Sequence, residues 1–109
     1  MRQKHPLIIC ACLFVVTHAA FAQSPYPSIR VSDLPDAIHK LYQREEPNFT
    51  DKSHCAAAWD STTDGDRIAF KCSVFIKMSA EGERRAMRYC AEIREQKHIQ
   101  APCRLIVER

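Results

Sequence analysis

The side chains in this 109-residue sequence that could do chemistry are six cysteines, five histidines and a cluster of arginines. Their spacing narrows what that chemistry could be. There is no C-x-x-C redox pair, no C-x-x-C-H haem attachment and no two close pairs of zinc ligands. His54 with Asp51 and Asp60, or His98 with a neighbouring carboxylate, would supply the parts of an acid-base pair. No G-x-S-x-G, H-E-x-x-H or glycine-rich phosphate loop accompanies them, and the whole chain holds two glycines. A small hydrolase using His54 or His98, and a metal or small-ligand carrier using His54, are therefore alternatives that no motif supports, and no cofactor is expected. His39 and His98 read as solvent-facing or helix-end imidazoles.

The cysteines make sense once the start of the chain is read. Arg2 and Lys4 precede an apolar run, Leu7 to Val16, and Ala20, Phe21 and Ala22 form a small-x-small site before Gln23. This is the layout of a secretory signal peptide over residues 1–22, cleaved near Ala22. The apolar run is too short for a permanent membrane span. Cleavage removes Arg2 and Lys4, leaving 14 basic against 13 acidic residues, so the net charge falls from +3 to +1. A near-neutral chain has no electrostatic reason to bind nucleic acid. Cleavage also removes Cys10 and Cys12, and the four remaining cysteines, in an oxidising compartment, read as two structural disulfides.

The elements that must position these cysteines follow from periodicity. Residues 23–32, with Pro25 and Pro27, read as an extended lead-in, poorly ordered, ahead of a single domain over 33–109. Asp33 is a good N-cap for a helix whose stripe is Leu34, Ile38, Leu41 and Tyr42 and which Pro47 stops. Cys55, Ala57 and Trp59 alternate, as do Ile68, Phe70, Cys72, Val74, Ile76 and Met78, with a turn at Asp64 and Gly65 between them. The second run predicts a strand reaching Met78, with one dry face and one mostly wet face. Ser79 caps a second helix to about Lys97, with Ala86, Cys90 and Ile93 inward. Gly82 should weaken its first turn by up to about 1 kcal/mol. After Pro102, the residues Cys103, Leu105 and Val107 begin a last strand. The order α-β-β-α-β predicts an α+β fold: a small three-stranded, mostly antiparallel sheet with both helices on one face, stapled by disulfides. The last strand should run parallel to the second and pair beside the first.

Four cysteines allow three pairings. A four-residue loop, Thr62 to Gly65, places Cys55 opposite Cys72, whereas a two-residue turn makes them diagonal neighbours that suit a disulfide less well. Cys55 with Cys72 and Cys90 with Cys103 is the favoured pairing. Its difficulty is that Cys90 lies about two turns, roughly 11 Å, before the helix end, so the helix would have to stop early. Cys72 with Cys90 and Cys55 with Cys103 is the alternative.

Two surface features could carry recognition. Arg84, Arg85 and Arg88 form a basic ridge on the outer side of the second helix, suited to a carboxylate or phosphate on a partner, although Glu92 and Glu95 continue the same face. Phe75, among Lys71, Ser73 and Lys77, is an aromatic on the wet strand face, with Ile106 expected beside it as a small apolar patch.

From Gly82 onward, the run Ala86, Met87, Cys90, then Ala101, Pro102, Cys103, Arg104 and Leu105 resembles the helix, Cys, Pro-Cys and strand ending of small exported proteobacterial proteins of unassigned function. The resemblance covers about a quarter of the chain. It implies a periplasmic or secreted module and brings no catalytic residues with it. The expectation is a disulfide-stabilised binding or accessory protein with a protein partner in the envelope or outside the cell.

Overall fold

The computed structural model describes residues 24–108. The expected signal peptide and its cleavage site lie outside the described residues. Four strands and two α-helices follow in the order β1 (Ser28–Arg30), α1 (Asp36–Glu45), β2 (His54–Trp59), β3 (Ile68–Ser73), α2 (Ser79–Gln96) and β4 (Arg104–Val107). The β2–β3 hairpin is antiparallel, and its register runs from Cys55 opposite Cys72 to Trp59 opposite Ile68. This is the register of the longer loop. Asp64 accepts from the Asp66 N–H at 3.0 Å and opens a short 3₁₀ turn, Gly65–Arg67, that feeds β3. β4 lies antiparallel beside β2, and so parallel to β3, as the crossing connection requires.

The sheet has four strands, not three. Ser28, Ile29 and Arg30 pair in parallel with Leu105, Ile106 and Val107, which gives the order β1-β4-β2-β3. The stretch expected to be a loose lead-in is therefore part of the domain. Its three residues are too few to show alternation, and they become a strand because β4 offers a free edge, with the Leu105 N–H also donating to the Pro27 carbonyl at 2.8 Å.

The helices lie on opposite faces of this sheet, which overturns the expectation of a single apolar face. Leu34, Ile38 and Tyr42 of α1 pack with Cys55, Ala57, Ile68, Cys72 and Ile106. Ala86 and Cys90 of α2 pack with the other side of the same strands, Ala56, Ala58, Ala69 and Leu105. The run Ala56-Ala57-Ala58 is the reason. All three side chains are buried, and a strand covered on both faces reads as a continuous apolar run, not an alternation. Small side chains on the α2 side, Ala56, Ala58, Ala69 and Ser73, let that helix approach closely.

Both helix starts differ from the capping expected of them. Val31–Asp33 is a 3₁₀ turn, and the Asp33 carboxylate pairs with Arg30 at 2.9 Å while α1 begins after Pro35. At the other helix the Ser79 hydroxyl leaves the backbone uncapped and bonds His54. The end of α2 is a Schellman motif: His98 adopts φ 54°, its N–H donates to the Glu95 carbonyl, and the Ile99 N–H donates to that of Arg94. Ile99 then packs back on the helix beside Ile93.

This turn removes the difficulty with Cys90. From Ile99 to Cys103 the chain returns alongside α2, and four residue steps of extended chain cover about 13 Å, more than the roughly 9 Å of helix between Cys90 and Gln96. The helix keeps its full length and the cysteines still meet. The return is held by Asp60, whose carboxylate accepts from the N–H groups of Gln100 at 2.7 Å and Ala101 at 2.9 Å, and by Arg94, which donates to the carbonyls of the same two residues.

Candidate functional site

The four cysteines form two disulfides, Cys55–Cys72 across the hairpin, with Cα atoms 3.9 Å apart, and Cys90–Cys103 between α2 and the start of β4, with Cα atoms 6.1 Å apart. The first lies on the α1 side of the sheet and joins two strands within it, whereas the second lies on the α2 side and ties that helix to the start of β4. All four residues are buried. Their chemistry is spent on structure.

His54 begins β2, and its Nε2 lies 2.7 Å from the Ser79 hydroxyl at the first residue of α2. Around this pair the backbone is crowded. The Ser73 hydroxyl donates to the Gly82 carbonyl at 2.7 Å, with the His54 carbonyl 3.3 Å from the same oxygen. A Cβ on Gly82 would lie 2.5 Å from the Lys52 carbonyl oxygen and 3.0 Å from His54 Cδ2. Gly82 is buried and sits where the helix presses onto the sheet, so its role is close approach, not a frayed end. Asp60 follows β2 at its far end and holds the 100–101 backbone, so it does not partner His54.

Burial pushes the His54 imidazole below its ordinary value of 6.5, against a smaller opposing pull from Glu83. The folded state therefore prefers the neutral ring. Below pH 6.5 the unfolded chain binds a proton that the native ring resists, so stability is full above that pH and is lost as pH falls through the interval down to the native value. The expected loss is at most about 1 kcal/mol, because the ring is only half-buried and water screens its charge. Urea midpoints at pH 7.5 and 5.5 measure it, and His54→Gln should abolish that part of the difference. The Asp60 carboxyl, lowered by the two backbone N–H groups it accepts from, adds a further loss only in the acid range below its ordinary value.

On the outer face of α2, Glu81 takes both Arg84 and Arg85. Arg84 Nε donates to it at 2.9 Å and Arg85 Nε at 2.8 Å. These bonds lower the Glu81 carboxyl to about 2. Arg88 reaches Glu92 only at 4.0 Å and lies over the Tyr89 ring. The basic ridge is thus largely paired within its own helix. It keeps a positive balance but presents no cluster of free guanidinium groups.

The strand expected to reach Met78 stops at Ser73. Its partner is the reason: His54, opposite Ser73, is the first residue of β2, and the polar segment before it does not pair. Residues 74–78 form a loop in which Phe75 has φ 60° and is 83 % exposed, and Met78 is 66 % exposed. Ile106, expected beside Phe75, is instead buried under α1, and Ser73 is buried beneath Gly82. Lys71, opposite Ala56, is exposed on the α2 side of the sheet. The loop and α2 frame a groove of about 310 Å³ lined by Phe75, Ile76, Lys77, Met78, Glu81 and Arg85. Phe75, Lys77 and Arg85 are thus brought together, while Arg84, Arg88 and Lys71 stand outside. Met78 and Ile76 were hidden from sequence reading by the continued alternation. With Cys55 opposite Cys72, Val74 onward would have to pair with Ser53 and Lys52, and that was the available signal that the strand ends.

Among the described residues no three His, Cys, Asp or Glu side chains converge as a metal site would need. No helix among them is long and apolar enough to cross a membrane. The fold and the groove define a disulfide-bonded α+β module with an exposed apolar loop. Comparison of the chain with protein-family models, with curated proteins and with solved structures found no match.

Proposed function

We propose that this chain is an exported, non-enzymatic binding module, periplasmic or secreted after cleavage near Ala22, whose protein partner docks on the Phe75–Met78 loop. The observation that carries the reading is Phe75. A bulky aromatic at φ 60° is strained by about 1–3 kcal/mol, and at 83 % exposure it recovers none of that cost through packing. Strain without burial serves folding poorly and serves contact with another molecule well. Met78 extends the apolar surface, and Lys77 and Arg85 line the same groove. A partner segment with an apolar anchor and one flanking carboxylate, set against Lys77 beside the Glu81–Arg85 pair, complements that groove. The two disulfides suit such a module to an oxidising compartment.

The test is affinity capture by the oxidised protein from envelope and culture fractions, in parallel with Phe75→Gly. Glycine relaxes at this φ, so the variant should be as stable as the parent or up to about 1 kcal/mol more stable. The captured partner's affinity should nevertheless fall about thirtyfold, as for an aromatic hot spot worth about 2 kcal/mol. Equal binding by the variant would reject the loop as the docking site.

A further inference from the structure

A second recess lies toward the other end of α2, where Ile93 and Lys97 stand about 12–18 Å of helix beyond Arg85 of the Phe75 groove. Because the helices cover opposite faces, they overhang the outer strand β3 and leave a trough along it of about 460 Å³. Leu41 of α1 and Ile93 of α2 form its walls, and Ile68 and Phe70 of β3 its floor. Thr62 and Thr63 of the hairpin loop close one end together with Lys97. The volume falls within the range of small-molecule sites, which combine an apolar lining with a few convergent polar groups.

Lys97 gives the trough its chemistry. Its Nζ donates to the Gly65 carbonyl at 3.0 Å and the Ile68 carbonyl at 2.9 Å, and both partners are neutral. Among the described residues no carboxylate pairs with it within 4.0 Å, whereas Arg30, Arg67, Arg84, Arg85 and Arg88 all have acidic partners. An ammonium has three donors, so Lys97 keeps one N–H and its whole charge, fixed in place by the two carbonyls in a recess that Thr62 and Thr63 also line. We infer that this trough binds an amphiphilic monocarboxylate, its aliphatic chain lying on Ile68, Phe70, Leu41 and Ile93 and its carboxylate on Lys97. A single fixed cation matches one negative charge, and the apolar walls match a hydrocarbon chain. The site is independent of the Phe75 loop, and its failure would leave the proposed partner docking untouched.

Sodium decanoate below its micellar range, titrated into the oxidised ¹⁵N-labelled protein, is the direct probe. The expected result is a saturable shift of the amide signals of Thr62, Thr63, Gly65, Ile68 and Lys97. Lys97→Gln should weaken decanoate about tenfold and leave the weaker binding of 1-decanol unchanged. Ala37→Phe, which fills the trough from α1 while leaving Lys97 in place, should remove both. Shifts that scatter over the surface or do not saturate would overturn the site. So would a folded Lys97→Gln variant that binds decanoate as the parent does, or decanol bound as tightly as decanoate.

Discussion

Reduction of both disulfides is expected to leave this protein marginally stable or unfolded at 25 °C. The closed loops, with sequence separations of 17 and 13 residues, are each worth about 3 kcal/mol in the chain-entropy account. A chain with this number of described residues has a total stability of about 4–13 kcal/mol. Removing about 6 kcal/mol takes most of that margin, in a domain whose sheet interior is built largely from alanine and so buries little area per residue. Cys90→Ala with Cys103→Ala should lower the melting temperature by about 12–24 °C, since it cuts the disulfide between α2 and the start of β4. Thermal melts with and without reductant measure both effects. A reduced chain melting at the oxidised temperature would show that packing alone holds the layers together.

Gly82→Ala should destabilise the protein by up to about 2 kcal/mol, opposite in sign to the effect of the same change on an exposed helix. On propensity alone the substitution gains about 1 kcal/mol. Here the new methyl would meet the Lys52 carbonyl oxygen at 2.5 Å. That atom is backbone, so relief requires moving α2 away from the sheet, and overpacking of this kind costs about 1–3 kcal/mol, which offsets or outweighs the propensity gain. The shift would also disturb the Ser73–Gly82 bond and the His54–Ser79 pair. Urea denaturation of the variant decides by sign alone, and a gain in stability would mean that the first turn of α2 is free of the sheet after all.

The disulfides and Gly82 differ in how much of their role is legible before folding. The disulfides are nearly all legible in sequence: the alternation around Cys55 and Cys72 leaves two registers, of which the one that sets them opposite suits a disulfide better, and each pair of cysteines is close along the chain. Gly82 is the opposite case. Its helix position reads as a weakness, and only the approach of Lys52 and Ser73, nine or more residues distant in sequence, turns it into a requirement. His54 and Asp60 behave likewise. Both suggest acid-base chemistry as letters, yet one tethers Ser79 and the other holds the backbone of Gln100 and Ala101. Hydrogen-bond partners 25 to 41 residues away leave no local trace.

What the sequence by itself determined is the set of features carried by local spacing: the helices around Ile38 and Cys90, the hairpin between Cys55 and Cys72, the direction and neighbour of β4 and the favoured disulfide pairing. Periodicities of 3.6 and 2 are properties of neighbouring residues, and they survive whatever the chain packs against. Tertiary structure decided the rest. Three consecutive alanines cannot say which face of a strand is dry, so only packing placed α1 and α2 on opposite sides of the sheet. Three residues cannot announce a strand, so β1 existed only once β4 offered its edge. The strand through Phe75 ended where its partner did, which left an aromatic in solvent that local alternation had assigned to a sheet.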